Sequence, residues 1–179
     1  EALGHCQHPD AREMMLSLLS DRDDVAARGA IRGLGAVGDE AAVKQLSKIL
    51  ADPGRPESLR AEAARALGEV NSADSYQALA DGYARLARPE LDAVTEAILD
   101  GLGKLPFART QGFFKSLLSS ARAIEGSRVA ALKALSGSTD DVVPFLIEYA
   151  WTDKDSEARA AAVWALGALK EGKNLAEPL

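Results

Sequence analysis

Cysteine, histidine and aromatic residues are scarce in this chain. One cysteine in 179 residues excludes an internal disulfide framework and a cysteine-only zinc site within one chain. The two histidines lie together in His5-Cys6-Gln7-His8, so neither a Cys-x-x-Cys pair nor a His-Glu-x-x-His helix occurs. Val, Ile and Thr number only 9, 5 and 4 against 34 Ala and 24 Leu, a balance that favours helix over sheet. No apolar run approaches the roughly 18 residues of a membrane span, so membrane insertion is not expected. Basic charge is the minority, with 21 Lys and Arg against 27 Asp and Glu and a net charge of −6. That balance argues against a phosphate-backbone binder, and so against nucleic acid as the partner. Hydrophobic residues, by contrast, make up 47%. Such a content excludes a disordered tail and is enough to bury a sizeable core.

What recurs is a short phrase, Ala-Leu-Gly or a near variant. It stands at Ala2-Leu3-Gly4, Gly33-Leu34-Gly35, Ala66-Leu67-Gly68, Gly101-Leu102-Gly103, Ala134-Leu135-Ser136 and Ala165-Leu166-Gly167. The leucines step by 31, 33, 35, 33 and 31 residues, too evenly for a merely leucine-rich composition. Four residues before the anchors lie Ala30, Ala63, Ile98, Ala131 and Ala162, on the same helical face. Seven before three of them lie Arg60, Arg128 and Arg159. The glycine after each leucine is expected to cap a helix C-terminus, with Gly137 standing in where Ser136 breaks the pattern.

Each period therefore predicts two helices. Helix A ends at the anchor, over about 24–34, 57–67, 89–102, 127–135 and 156–166. Helix B follows a short turn, over about 9–20, 39–51, 73–87, 108–122 and 140–151. Pro56, Pro89 and Pro144 fall where a first-turn proline is tolerated. Ser127, Ser156, Asp39 and Asp140 read as N-caps, and the pairs Asp23-Asp24 and Asp140-Asp141 as caps with first-turn acids.

The blocks Asp24-Val25-Ala26-Ala27-Arg28-Gly29-Ala30-Ile31-Arg32-Gly33-Leu34-Gly35 and Ser156-Glu157-Ala158-Arg159-Ala160-Ala161-Ala162-Val163-Trp164-Ala165-Leu166-Gly167 resemble HEAT-like repeats. The resemblance is to the short type seen in phycobilisome-lyase-related proteins. Tetratricopeptide and ankyrin repeats share the period but not the signature residues. The resemblance implies an all-α fold, a right-handed α-α superhelix of about five stacked antiparallel helix pairs, with residues 1–179 forming one array. It also implies that the B helices line a concave side. Such repeats serve many roles, so fold alone does not name one. A non-catalytic scaffold or adaptor for a protein or peptide is expected. A bilin-lyase-like or other cofactor-handling enzyme, or a structural spacer, are the alternatives. Glu1 to Gly4 reads as the tail of a helix A, and Leu175 to Leu179 as the start of a helix B. A piece of a longer array is therefore expected.

The apolar residues of the B helices align as Val43, Leu46, Leu50; Tyr76, Leu79, Tyr83; Phe114, Leu117, Ala121; and Val143, Leu146, Ala150. These are expected to face the core. The next positions are then expected to face outward, Lys44, Gln77, Lys115 and Pro144 in one row and Lys48, Asp81, Ser119 and Glu148 in a second. The rows mix charges, so they read either as a solvated face or as a groove for a partner. Residues 51–100 carry five basic and ten acidic groups, residues 101–150 six and four. That gradient would orient a partner of graded charge. The last B helix, Val142 to Trp151, is apolar over most of its circumference. Its Tyr149 and Trp151 are expected either to pack on neighbouring repeats or to form an aromatic contact patch. Trp164 is expected in the core or as an inter-repeat spacer.

Chemistry is sparse. His5, Cys6 and His8 with Asp10 or Glu13 would supply zinc ligands, but residues so close in a turn rarely converge on a tetrahedron, and the segment reads as a polar turn. No histidine is followed by Glu, as paired iron-binding steps would require. Two adjacent histidines give no spacing evidence for a triad with Ser119. Gly33-Leu34-Gly35 follows no strand and lacks the Gly-Lys-Ser/Thr tail of a phosphate loop. No catalytic, cofactor-binding or metal-binding residue is assigned.

Overall fold

In a computed structural model of the chain, residues 9–20, 23–86, 91–120, 126–138 and 142–169 are described. They form ten α-helices and, among the described residues, no strand. The B helices are α1 (Pro9–Leu18), α3 (Glu40–Ala51), α5 (Ala73–Leu86), α7 (Phe107–Ser119) and α9 (Val143–Thr152). The A helices are α2 (Asp24–Val37), α4 (Glu57–Val70), α6 (Ala93–Lys104), α8 (Ser127–Ala134) and α10 (Ser156–Ala168). Each A helix packs on the next, α2 on α4, α4 on α6, α6 on α8 and α8 on α10, and the B helices cover one side of that layer. This is an all-α solenoid of stacked hairpins.

The anchor leucines form its spine. Leu34, Leu67, Leu102 and Leu135 are 0–1% exposed. Ala30, Ala63, Ile98, Ala131 and Ala162, one turn earlier, are buried with them. Leu166 is only partly covered, and Leu3 lies outside the described residues. One continuous apolar cluster runs from Met15 to Ala165, as expected where each repeat leans on its neighbours.

The glycines after the anchors do not cap the helices. The chain stays helical beyond Gly35, Gly68 and Gly103. Their purpose is steric. A Cβ on Gly68 would stand 2.6 Å from Gly101 Cα, and one on Gly103 would stand 2.2 Å from the carbonyl oxygen of Ala134. Successive A helices meet backbone to backbone there, and only hydrogen fits between them. The left-handed caps fall four residues after the anchors, at Gly38 (φ 65°) and Asn71 (φ 50°). The Gly38 N–H donates to the Leu34 carbonyl at 3.0 Å. Gly137 instead closes a 3-10 turn, Leu135–Gly137.

The helix starts follow the acids more than the serines. Asp23, Asp39, Asp92 and Asp155 are N-caps whose carboxylates accept backbone N–H groups. Ser127 and Ser156 are instead the first helical residues. Helix α6 begins at Ala93, later than the expected 89. Pro89, Asp140 and Asp141 lie outside the described residues. Pro56 is the N-cap position of α4, and Pro144 sits in the first turn of α9 as expected.

Asp39 illustrates what a cap contributes. Its carboxylate accepts the Ala42 N–H at 2.8 Å and pairs with Arg12 of α1. The Ala42 hydrogen bond, chiefly, holds its pKa below the ordinary 3.8; burial opposes this as the next largest effect, and the Arg12 contacts add to the lowering. Asp39→Ala is expected to cost about 0.5–2 kcal/mol, the usual worth of a cap. Because the folded-state pKa is lowered, this contribution is complete above 3.8 and is lost as pH falls through the folded-state value. Thermal melts of both proteins at neutral pH and in strong acid should therefore show a gap that narrows in acid.

The recurrent arginines fasten A helices to neighbouring turns. Arg60 Nε donates to the Leu50 carbonyl at 3.2 Å, at the end of α3. Arg128 of α8 pairs with Asp153, whose side chain is almost wholly buried. Arg159 Nη1 donates to the Asp153 carbonyl at 2.9 Å. Two arginines thus converge on the turn after α9, Arg128 on its buried carboxylate and Arg159 on its backbone carbonyl. Between repeats, Arg32 pairs with Glu62 and Lys104 with Glu69, both at 2.5 Å.

Candidate protein-interaction face

The two layers of the stack are spaced by different side chains. Alanine and glycine bring the A helices together. The B helices α5, α7 and α9 meet through rings, for eight of the nine aromatic residues lie in them. Tyr83 of α5 meets Phe113 of α7 edge-on at 5.2 Å, and Phe113 meets Phe114 at 5.5 Å. Phe107 of α7 meets Phe145 of α9 at 5.0 Å, and Phe145 meets Tyr149 at 4.8 Å. The first two pairs are edge-to-face, a geometry that aromatic quadrupoles favour, and the last two are tilted, at 58° and 47°. The sequence reading aligned Tyr83 and Phe114 but missed Phe107 and Phe113. The confinement of aromatics to three consecutive B helices was the available signal.

The outward rows stand where the alignment put them. Lys44 and Lys48 of α3, Gln77 of α5, Lys115 and Ser119 of α7, and Pro144 and Glu148 of α9 are exposed, while Asp81 is half-buried. Val43, Leu46, Leu50, Leu79, Phe114, Leu117 and Leu146 face inward, and Tyr76, Tyr83, Val143 and Ala150 are half-buried. Ala121 lies outside the described residues. Contacts among the outward residues are local. Gln77 Nε2 donates to Asp81 Oδ1 at 2.8 Å, and Ser119 Oγ donates to the Lys115 carbonyl at 2.7 Å. These are helix-turn pairs, not a converging charged site.

At one end of this layer the surface turns apolar. Trp151 is 83% exposed, and Ile147 one turn before it is also exposed. Tyr149 is half-buried against Phe145. Desolvation raises its phenol pKa above the ordinary value, and the charges of Glu148 and Asp153 add to the rise. Trp151→Ala should therefore change stability by less than about 0.5 kcal/mol, as surface substitutions do. A chemical-denaturation comparison checks this. Trp164 departs from expectation. It is neither core nor covered spacer but 54% exposed, with Lys133 Nζ 5.9 Å from its ring centroid.

Among the described residues no group of three or more His, Cys, Asp or Glu could hold a metal ion. The His5-Cys6-Gln7-His8 segment lies outside them. No described helix is long and apolar enough to cross a membrane.

Comparison with known proteins bears on the architecture. Residues 1–57 match the family described as HEAT repeats, residues 142–172 the HEAT repeat, and residues 59–84 the PBS lyase HEAT-like repeat. No curated protein matches the chain. Among solved structures, it is similar to a chain in the complex of CpcE and CpcF of phycocyanin lyase from Nostoc sp. PCC7120, with a TM-score of 0.54 and 23% identity. The match covers 90% of this chain and 65% of that one. At that identity the likeness concerns the fold.

Proposed function

We propose that this chain, which belongs to the HEAT-like repeat superfamily, is a non-catalytic scaffold that binds another protein along its B-helix face. The observation that carries the reading is the contrast between layers. The A layer is closed by backbone contact at its glycines. The B layer packs through rings between α5, α7 and α9, carries mixed polar rows, and has the exposed Ile147 and Trp151 on α9. An aromatic anchor beside a polar surface is the composition of protein-binding patches. The concave side that the resemblance assigns to B helices is the face meant here. Residues 51–100 and 101–150 differ in charge balance, which would set the orientation of a partner and make association salt-dependent.

The test is a paired capture experiment. A B-face variant, Lys44→Glu with Lys115→Glu and Trp151→Ala, is compared with an A-face variant, Arg65→Glu. A partner held by the native chain and by the A-face variant, but lost with the B-face variant, supports the reading. Retention by all three chains defeats it. If neither face retains anything, a spacer within a larger assembly is the better description.

A second reading follows from the likeness to a phycocyanin lyase chain and from the PBS lyase HEAT-like match at 59–84. In it the chain is a lyase-like subunit that works in a complex with a second chain. Titration with a linear tetrapyrrole discriminates. A saturable change in its visible absorption favours the lyase-like role, and an unchanged spectrum favours the scaffold.

A further inference from the structure

The charged contacts of the stack fall into two groups. In the first, Arg32 of α2 and Arg65 of α4 share Glu62, whose side chain is 11% exposed. Lys104 of α6 reaches Glu69 of α4, and Arg109 Nη1 of α7 donates to Oδ1 of Asn71, the residue that ends α4, at 3.1 Å. In the second, Arg128 of α8 pairs with Asp153 after α9, and Arg159 of α10 reaches the same turn. Lys133 of α8 lies by the Trp164 ring of α10. Among the described residues, no ion pair joins α6 or α7 to α8, α9 or α10. What crosses that boundary is uncharged. Gly103 meets Ala134, Phe107 meets Phe145, and the Tyr83 phenol of α5 lies by the buried Ser127. Exposed ion pairs contribute little. The pairs that weigh are those on Glu62 and Asp153, carboxylates largely out of water, one in each group.

Burial changes at the same place. The inner A helices α4, α6 and α8 each have an A helix on both sides. Helix α4 has 14 residues, nine of them buried, and α6 has 12, eight of them buried. Helix α8 has eight, four of them buried, and the 3-10 turn after it adds only Leu135. So short a helix has little stability of its own and depends on its neighbours. A stack of repeats is held by interfaces between adjacent repeats, and it opens first where least is buried.

We propose that the stack carries a joint between α7 and α8, where α8, α9 and α10 open together as one unit while α2 to α7 stay folded. Arg128 and Arg159 bind the three helices to one another at the Asp153 turn, so they part from α6 as a group and do not fray singly from α10. The B-helix face spans the joint. Opening separates the polar rows of α3, α5 and α7 from Ile147 and Trp151 of α9. The joint belongs to the array itself and stands whether or not the scaffold reading holds.

The test is hydrogen exchange of the whole native chain, read by mass spectrometry over a series of low denaturant concentrations. Amides of α8, α9 and α10 are expected to exchange through one shared opening, about tenfold or more faster than those of α4 and α6. Their denaturant dependence should be weaker, because less surface is uncovered. Glu62→Gln loosens only the first group. Exchange should therefore quicken in α2, α4 and α6 and stay unchanged in α8 to α10. Arg128→Leu strands Asp153 and raises the native state relative to both openings, so exchange should quicken in both groups. Circular dichroism checks that each variant is folded. Should Arg128→Leu fail to fold, the native chain and Glu62→Gln decide the matter. Equal protection of α6 and α8, opening of α10 with α8 still as protected as α6, or quickening of α8 to α10 by Glu62→Gln would each overturn the joint.

Discussion

Leu102→Ala is expected to destabilise the chain by about 2–5 kcal/mol, the range for deleting a fully buried leucine. Its side chain is 0% exposed and belongs to α6, which packs on both α4 and α8. Truncation opens a cavity where two repeat boundaries meet, and neighbours fixed by backbone contacts at Gly68, Gly101 and Gly103 have little freedom to close it. Leu67→Ala should behave similarly. Leu166→Ala should cost less, because Leu166 is only partly buried. Equilibrium denaturation of the three variants gives the ordering. A loss below about 0.5 kcal/mol at both Leu67 and Leu102 would mean that the anchors do not carry the stack.

Replacing two helical glycines by alanine should give effects of opposite sign. Glycine in a helix interior ordinarily costs about 0.8–1 kcal/mol relative to alanine. At Gly112 of α7 an added Cβ meets nothing within 4 Å, so Gly112→Ala is expected to stabilise the chain by about 0.5–1 kcal/mol. At Gly103 the same methyl would stand 2.2 Å from the Ala134 carbonyl oxygen and 2.6 Å from its carbon. Those are backbone atoms of the next A helix and cannot rotate away. Gly103→Ala is therefore expected to destabilise by about 1–3 kcal/mol or more, as overpacking does. Thermal melts of the pair test this directly. Stabilisation by both substitutions would show that α6 and α8 do not approach as closely as the structure places them.

Much of the architecture was legible because it is written in period and phase. Leucines at near-even steps, with small residues one turn before them, located four buried anchors and the order of hairpins. Helix starts were read closely at α3 and α4, where Asp39 and Pro56 give local signals. They were read less well at α6, where Pro89 pointed to an earlier start than the Asp92 cap. The outward rows were legible too, since polar positions off the apolar stripe of an amphipathic helix turn toward solvent. Exposure is a weaker property than binding, and the two rows show only local hydrogen bonds.

The sequence by itself determined that this chain is helical, that it repeats, and which leucines lie inside, because hydrophobic phase is a local quantity that each helix carries alone. Only the tertiary structure decided what the glycines do, how the two layers are spaced, and which tryptophans are covered. A glycine after a leucine looks the same whether it ends a helix or admits a neighbouring backbone. The distinction depends on a residue some thirty positions away in the chain. Exposure of Trp151 and Trp164 likewise depends on which helices lie against α9 and α10, and no pattern within either helix encodes that.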